Sequence, residues 1–144
     1  MTAKEFLTRY RLISSRIEML AAEIEKIEAQ AAGGGQNMDG QPHGTGKSDR
    51  VANAAIKAAE ATTELEKLKA EQEAKRNYIM FVLNKIDDLE QFEVLKLRYI
   101  DPKPANEWWN IAEVVGKSTR HVQRIHGYAL LKVQKILDET EVRP

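Results

Sequence analysis

The chain has 144 residues, in which 22 Lys and Arg balance 22 Asp and Glu, 42% of residues are apolar and Cys is absent. That size and composition suit a cytoplasmic chain of one or two small domains, and the lack of Cys removes disulfides, thiolate zinc sites and thiol nucleophiles together. No apolar run approaches the roughly 20 residues that cross a bilayer, charge enters every turn of residues 1–20 where a secretory signal would be apolar, and with no net charge any partner must be read from where the charges lie.

Thr2-Ala3-Lys4-Glu5 is a capping-box pattern, in which hydroxyl and carboxylate each satisfy a backbone N–H at a helix start. Phe6, Tyr10, Ile13, Ile17, Leu20, Ile24, Ile27 and Ala31 then alternate in steps of four and three, a coiled-coil seam over residues 3–31 that needs a partner helix. The partner is either a later segment of this chain or a second copy, and the seam residues Phe6 to Ile27 are the candidate oligomerisation contacts of a homodimer. Six of the eight Gly (33, 34, 35, 40, 44 and 46) fall next, with Pro42, and the pattern predicts a flexible linker over 33–48. Gly44-Thr45-Gly46-Lys47-Ser48 imitates a phosphate-binding loop. The full motif needs Gly where Gln41 stands and a preceding buried strand, so no nucleotide site is expected.

Residues 50–88 are rich in Ala, Glu and Lys without an interrupting Gly or Pro, which predicts a second long helix. Val51, Ala55, Ala58, Thr62, Leu65 and Leu68 offer it a small-residue seam, followed by Ile79, Val82, Leu83, Ile86 and Leu89. A short helix over 89–99 should turn Phe92, Leu95 and Tyr99 inward and stop at Pro102 and Pro104, with Asn106 capping the next helix. Trp108 is the expected anchor of a small core, and Trp109 is expected at the surface. The tail from 138 is polar and expected to fray.

The most informative stretch is 106–137. Ile111, Ala112 and Val115 make a short apolar stripe, Gly116-Lys117 breaks it, and Ser118 stands where a hydroxyl caps the next helix. Val122, Ile125, Ala129, Val133 and Leu137 then recur at helical spacing, leaving Arg120, Gln123, Arg124 and Tyr128 on the other face. Between Val114 and Leu137 there are three Lys, two Arg and two His but no Asp or Glu. A basic second helix with planar hydrogen-bonding side chains near its start suits the major groove, where Arg forks onto guanine and Gln onto adenine. The candidate DNA contacts are Lys117, Ser118, Thr119, Arg120, His121, Gln123, Arg124 and Lys132.

LEQFEVLKLRYI at 89–100, followed by IAEVVGKSTRHVQRIHGYALLKV, resembles region 4 of bacterial sigma factors over roughly the last third of the chain. Trp108-x-x-Ile111-Ala112 and Arg120-x-Val122-x-Arg124-Ile125-His126-Gly127-x-Ala129-Leu130, together with the MTAKEFL start and the long coiled segment, are similar to phage and prophage regulators of the ArpU/RinA-like group. The resemblance implies an all-α fold with a coiled-coil helical hairpin over 1–88 and a three-helix helix-turn-helix domain over 89–144. It implies a DNA-binding transcriptional regulator in a bacterial host cytoplasm, acting on double-stranded promoter DNA and contacting RNA polymerase. Thr119, Arg120 and Arg124 occupy positions where sigma region 4 reads bases with different residues, so base preference does not carry over.

Each feature also has a plainer account. A charged helix face is commonly just solvated, and a helix-turn-helix can serve protein contacts instead. The alternative function is therefore a phage assembly or packaging adaptor that works through its coiled coil. His121 and His126, five residues apart, do not share a face as a helical metal pair does. No metal, cofactor or enzymatic activity is expected, since no carboxylate pair has acid–base spacing.

Overall fold

The computed structural model describes residues 1–36 and 44–141, and every regular element among them is helical, an all-α fold. In chain order these are α1 (Ala3–Gln36), α2 (Gly44–Leu83), α3 (Leu89–Leu95), a π-helical turn (Lys96–Ile100), α4 (Trp108–Val115) and α5 (Thr119–Glu141).

Helix starts follow their local chemistry. The Thr2 N–H donates to Glu5 Oε2 at 3.2 Å and the Glu5 N–H to Thr2 Oγ1 at 3.1 Å, which closes the capping box. Asp88 caps α3 by accepting from the Gln91 N–H at 3.0 Å, and Ser118 caps α5 by accepting from the His121 N–H at 3.1 Å. Helix ends depart further from expectation. α1 continues to Gln36 and α2 already begins at Gly44, because extending a formed helix gains one hydrogen bond per residue fixed and so offsets the low propensity of Gly. The remainder of the expected linker, 37–43, lies outside the described residues. α2 stops at Leu83 rather than 88, where Lys85 N–H to Val82 O at 3.1 Å and Ile86 N–H to Leu83 O at 3.0 Å tighten the last turn before the Asp88 cap.

Two further expectations are corrected nearby. Leu89 is 82% exposed, since it opens α3 on the outer side of that cap. Asn106 is not the cap of α4: Glu107 holds that position without a side-chain bond, while the buried Asn106 gives its carbonyl to Arg98 Nη1 at 2.7 Å. At the C-terminus α5 runs through the expected frayed tail as far as Glu141, with Leu137 buried and the Thr140 hydroxyl donating to Ile136 O at 2.8 Å.

The expected domain boundary at 88 does not coincide with a boundary between compact units. One unit comprises Met1–Leu12 with Gln72–Pro144, the other Ile13–Glu71. The cause lies in the core of the first. Ala3, Leu7 and Tyr10 of α1 share one cluster with Ile79, Val82, Leu83 and Ile86, with Leu95 and Tyr99, and with Ala129, Val133 and Leu137 of α5. Phe6 packs edge-on to Tyr78, and the Ala3 N–H donates to Gln134 Oε1 at 2.8 Å. A second, smaller cluster joins Val94, Ile111, Ala112, Val122 and Ile125, with Trp108 and Val115 against it. The inward faces expected of α4 and α5 are therefore the observed ones.

In the second unit the partly covered positions of α1 follow the expected seam, Ile13, Ile17, Ile24 and Ile27, with Leu20 buried. On α2 the covered residues are Ala54, Ala58, Ala61, Leu65 and Leu68, while Val51, Ala55 and Thr62 face solvent. The seam keeps its four-three rhythm through Ala58 and the two leucines, with Ala61 covered in place of Thr62. Thr62 returns its hydroxyl to Ala58 O at 2.7 Å on the exposed side. Ile27, Gln30 and Ala31 line one cleft with Asp49, Asn53 and Ala54, so the two helices lie side by side there.

Candidate nucleic-acid interface

The turn between α4 and α5 is set by backbone chemistry. Gly116 takes φ 77° and ψ 32°, a left-handed conformation that costs Gly no steric penalty. The N–H groups of Gly116 and Lys117 both return to Ala112 O, at 2.9 and 3.1 Å, which closes α4. The next residue but one caps the following helix: Ser118 O accepts from Val122 at 2.9 Å, and its hydroxyl takes the His121 N–H. α5 then buries Val122, Ile125, Ala129, Val133 and Leu137.

All eight expected contact residues are exposed: Lys117, Ser118, Thr119, Arg120, His121, Gln123, Arg124 and Lys132. Arg120, Arg124, Tyr128, Leu131 and Lys135 recur at three to four residues, hence along one outward strip of α5. Among the described residues no carboxylate pairs with Arg120, Arg124 or Lys132. Lys117 differs, because its ammonium is held by Glu90 of α3. Gly127 lies on the exposed side, and a Cβ there would meet nothing within 4 Å, so no close approach inside the chain requires it.

Behind this strip is a polar and aromatic group that sequence spacing does not reveal. Tyr99, from the π-helical turn, hydrogen-bonds His126 Nε2 at 2.7 Å with the two rings stacked at 5.6 Å. Trp108 meets His126 edge-on at 5.1 Å, and the Arg98 guanidinium lies 4.3 Å from the Trp108 ring centroid. Trp108 thus anchors the small core as expected, whereas Trp109 is exposed. Burial, followed by the positive charges of Arg98 and Lys4, lowers the His126 pKa to about 4. Burial raises the Tyr99 pKa, against the pull of Arg98 and Arg11. Both shifts favour neutral groups, and the imidazole tautomer sets which of the two donates in the bond between them.

A pH dependence follows. Below its ordinary value of 6.5 the unfolded His126 takes up a proton, while the folded form resists until about 4. Within that window the unfolded state binds more protons, so stability must fall as pH falls, by about 1–2 kcal/mol once solvent screening of a half-buried group is allowed for. Urea unfolding of wild type and His126→Gln at pH 7.5 and 4.5 isolates this contribution. The wild type should lose more of its midpoint than the variant, and equal losses in both would remove His126 as the cause.

His121 and His126 do not converge, and no group of three metal-ligating side chains is found among the described residues. No helix of the described residues is long and apolar enough to cross a membrane. Taken together, α4, the Gly116 turn and α5 are consecutive parts of an all-α protein. Comparison with protein-family models, with curated proteins and with solved structures finds no match for the chain.

Proposed function

We propose that this protein is a sequence-specific DNA-binding regulator of transcription, of the phage or prophage kind, acting in the cytoplasm of a bacterial host. It binds double-stranded promoter DNA through the helix expected over 118–137 and contacts RNA polymerase. The observation that carries this is the outward strip of α5: Arg120 and Arg124, with no acidic partner among the described residues, beside Gln123, just after a capped turn, on a helix whose opposite face is held in the core. Base-reading helices present their first turns to the groove in this way, with phosphate contacts at the turn.

A homodimer suits this role, because two modules double the phosphate contacts and match a two-part site. Phe6, Tyr10, Ile13, Ile17, Leu20, Ile24 and Ile27 are all at least partly covered within one chain. A second copy would therefore have to use the outer faces of α1 or α2, unless the helices exchange between chains.

The adaptor reading keeps one observation in its favour. Trp109, Val114, Tyr128 and Leu131 are large apolar or aromatic side chains left more than half exposed, a surface that also suits protein contacts. Salt separates the two readings. In a fluorescence titration of fragments selected from the parent genome, a DNA-binding regulator should lose affinity linearly in log salt, with a slope of about −0.9 for each neutralised phosphate. A wild type that selects no fragment and binds no duplex at low salt would leave the adaptor.

A further inference from the structure

We infer that Glu90 is a built-in competitor for the phosphate that Lys117 would otherwise hold, so that it lowers sequence-independent DNA binding without touching base recognition. This rests on reading α5 as the DNA-contacting helix. The juxtaposition that carries it joins two distant parts of the chain. Lys117 sits in the turn immediately before the Ser118 cap, held there by its own N–H to Ala112 O at 3.1 Å. Glu90 lies in the first turn of α3, and its Oε2 closes on Lys117 Nζ.

Both side chains remain partly exposed, at 35% for Lys117 and 45% for Glu90, so either can release the other to an incoming group. No other bond is formed by the Glu90 side chain among the described residues, so beyond Lys117 its one role in α3 is that of a carboxylate in the first turn, facing the positive end of the helix dipole. Arg120, Arg124 and Lys132 carry no such partner among the described residues. The one cation at the turn, where a phosphate contact is sequence-blind, is therefore the one already neutralised. The cations on the helix, where base edges can be reached, have no acidic partner among the described residues.

Charge arithmetic at this spot gives signs that a structural role does not. Glu90 and Lys117 together present no net charge to the duplex. Removing the carboxylate frees one cation, removing the ammonium leaves one anion facing the phosphates, and removing both restores neutrality. A phosphate displacing Glu90 exchanges one anion for another, and the counterion release from that phosphate is largely cancelled.

The test uses the full chain and a fluorescein-labelled duplex pool of random sequence, titrated at several salt concentrations. Glu90→Gln should bind about fivefold more tightly at about 0.15 M salt, with a slope steeper by about 0.9, the release expected of one phosphate contact. Lys117→Ala should bind more weakly with a shallower slope, and the double variant Glu90→Gln with Lys117→Ala should return close to wild type. Glu90→Asp, which retains the charge, should remain near wild type. If Glu90 merely positions Lys117 for DNA, Glu90→Gln binds the pool no better than wild type, and the competitor role is overturned while DNA binding stands. A wild type that ignores the pool even at low salt overturns both. Circular dichroism of each variant establishes that the comparison is made between folded proteins.

Discussion

A fragment of residues 89–144 should fail to fold on its own, although it contains α3, α4 and α5 entire. Its larger core is completed from outside that span. Leu7, Ile79, Val82 and Leu83 are each 1% exposed or less and pack in the same cluster as Leu95, Ala129 and Val133. Without α1 and α2, the inward face of α5 beyond Ile125 would be bared to water. Burying a Leu, Ile or Val side chain contributes about 1.5–3 kcal/mol relative to exposure, so the loss of four exceeds much of the roughly 5–15 kcal/mol that holds a domain.

In the intact chain the same dependence is measured more gently by Leu7→Ala, which should cost about 2–5 kcal/mol through lost burial and the cavity left behind. Leu12→Ala, at a position 63% exposed on the same helix, should cost far less. Urea denaturation reports both variants, and thermal circular dichroism reports the fragment. A fragment that melted cooperatively, or a Leu7→Ala chain as stable as Leu12→Ala, would mean that residues 89–144 are self-sufficient.

Arg124→Ala should weaken binding to a selected duplex by roughly 1–3 kcal/mol and relax the base preference at one position, the effect expected of a lost bidentate contact to guanine. Val122 and Ile125, on either side of Gln123 and Arg124, are buried. Arg124 is exposed in the second turn of α5 and has no acidic partner among the described residues. It contributes nothing visible to the core, so the variant should keep the wild-type melting curve. Selected and scrambled duplexes titrated side by side distinguish a base contact from a phosphate contact, because a lost phosphate contact weakens both alike. An Arg124→Ala protein that remains folded and keeps full affinity and selectivity would remove α5 as the recognition helix.

Several features of this protein are determined within a few residues of sequence. The capping box at Thr2 and Glu5, the Ser118 cap and the left-handed Gly116 each depend on side-chain and backbone groups at most four positions apart. The buried faces of α4 and α5, from Ile111 to Leu137, depend on helical periodicity alone. These are short-range hydrogen bonds, sterics and spacing, and they were sufficient for the all-α fold and for the outward strip of α5.

Tertiary structure decided which helices share a core. The Ala3 N–H finds Gln134, 131 positions away, and Tyr99 finds His126, 27 positions away. It also decided which register of α2 is covered, that Leu89 opens a helix outward, and that Lys117 meets Glu90. Periodicity states that an apolar face exists but not which partner covers it. Several pairings satisfy the same pattern, and only the packing of all the faces at once selects among them.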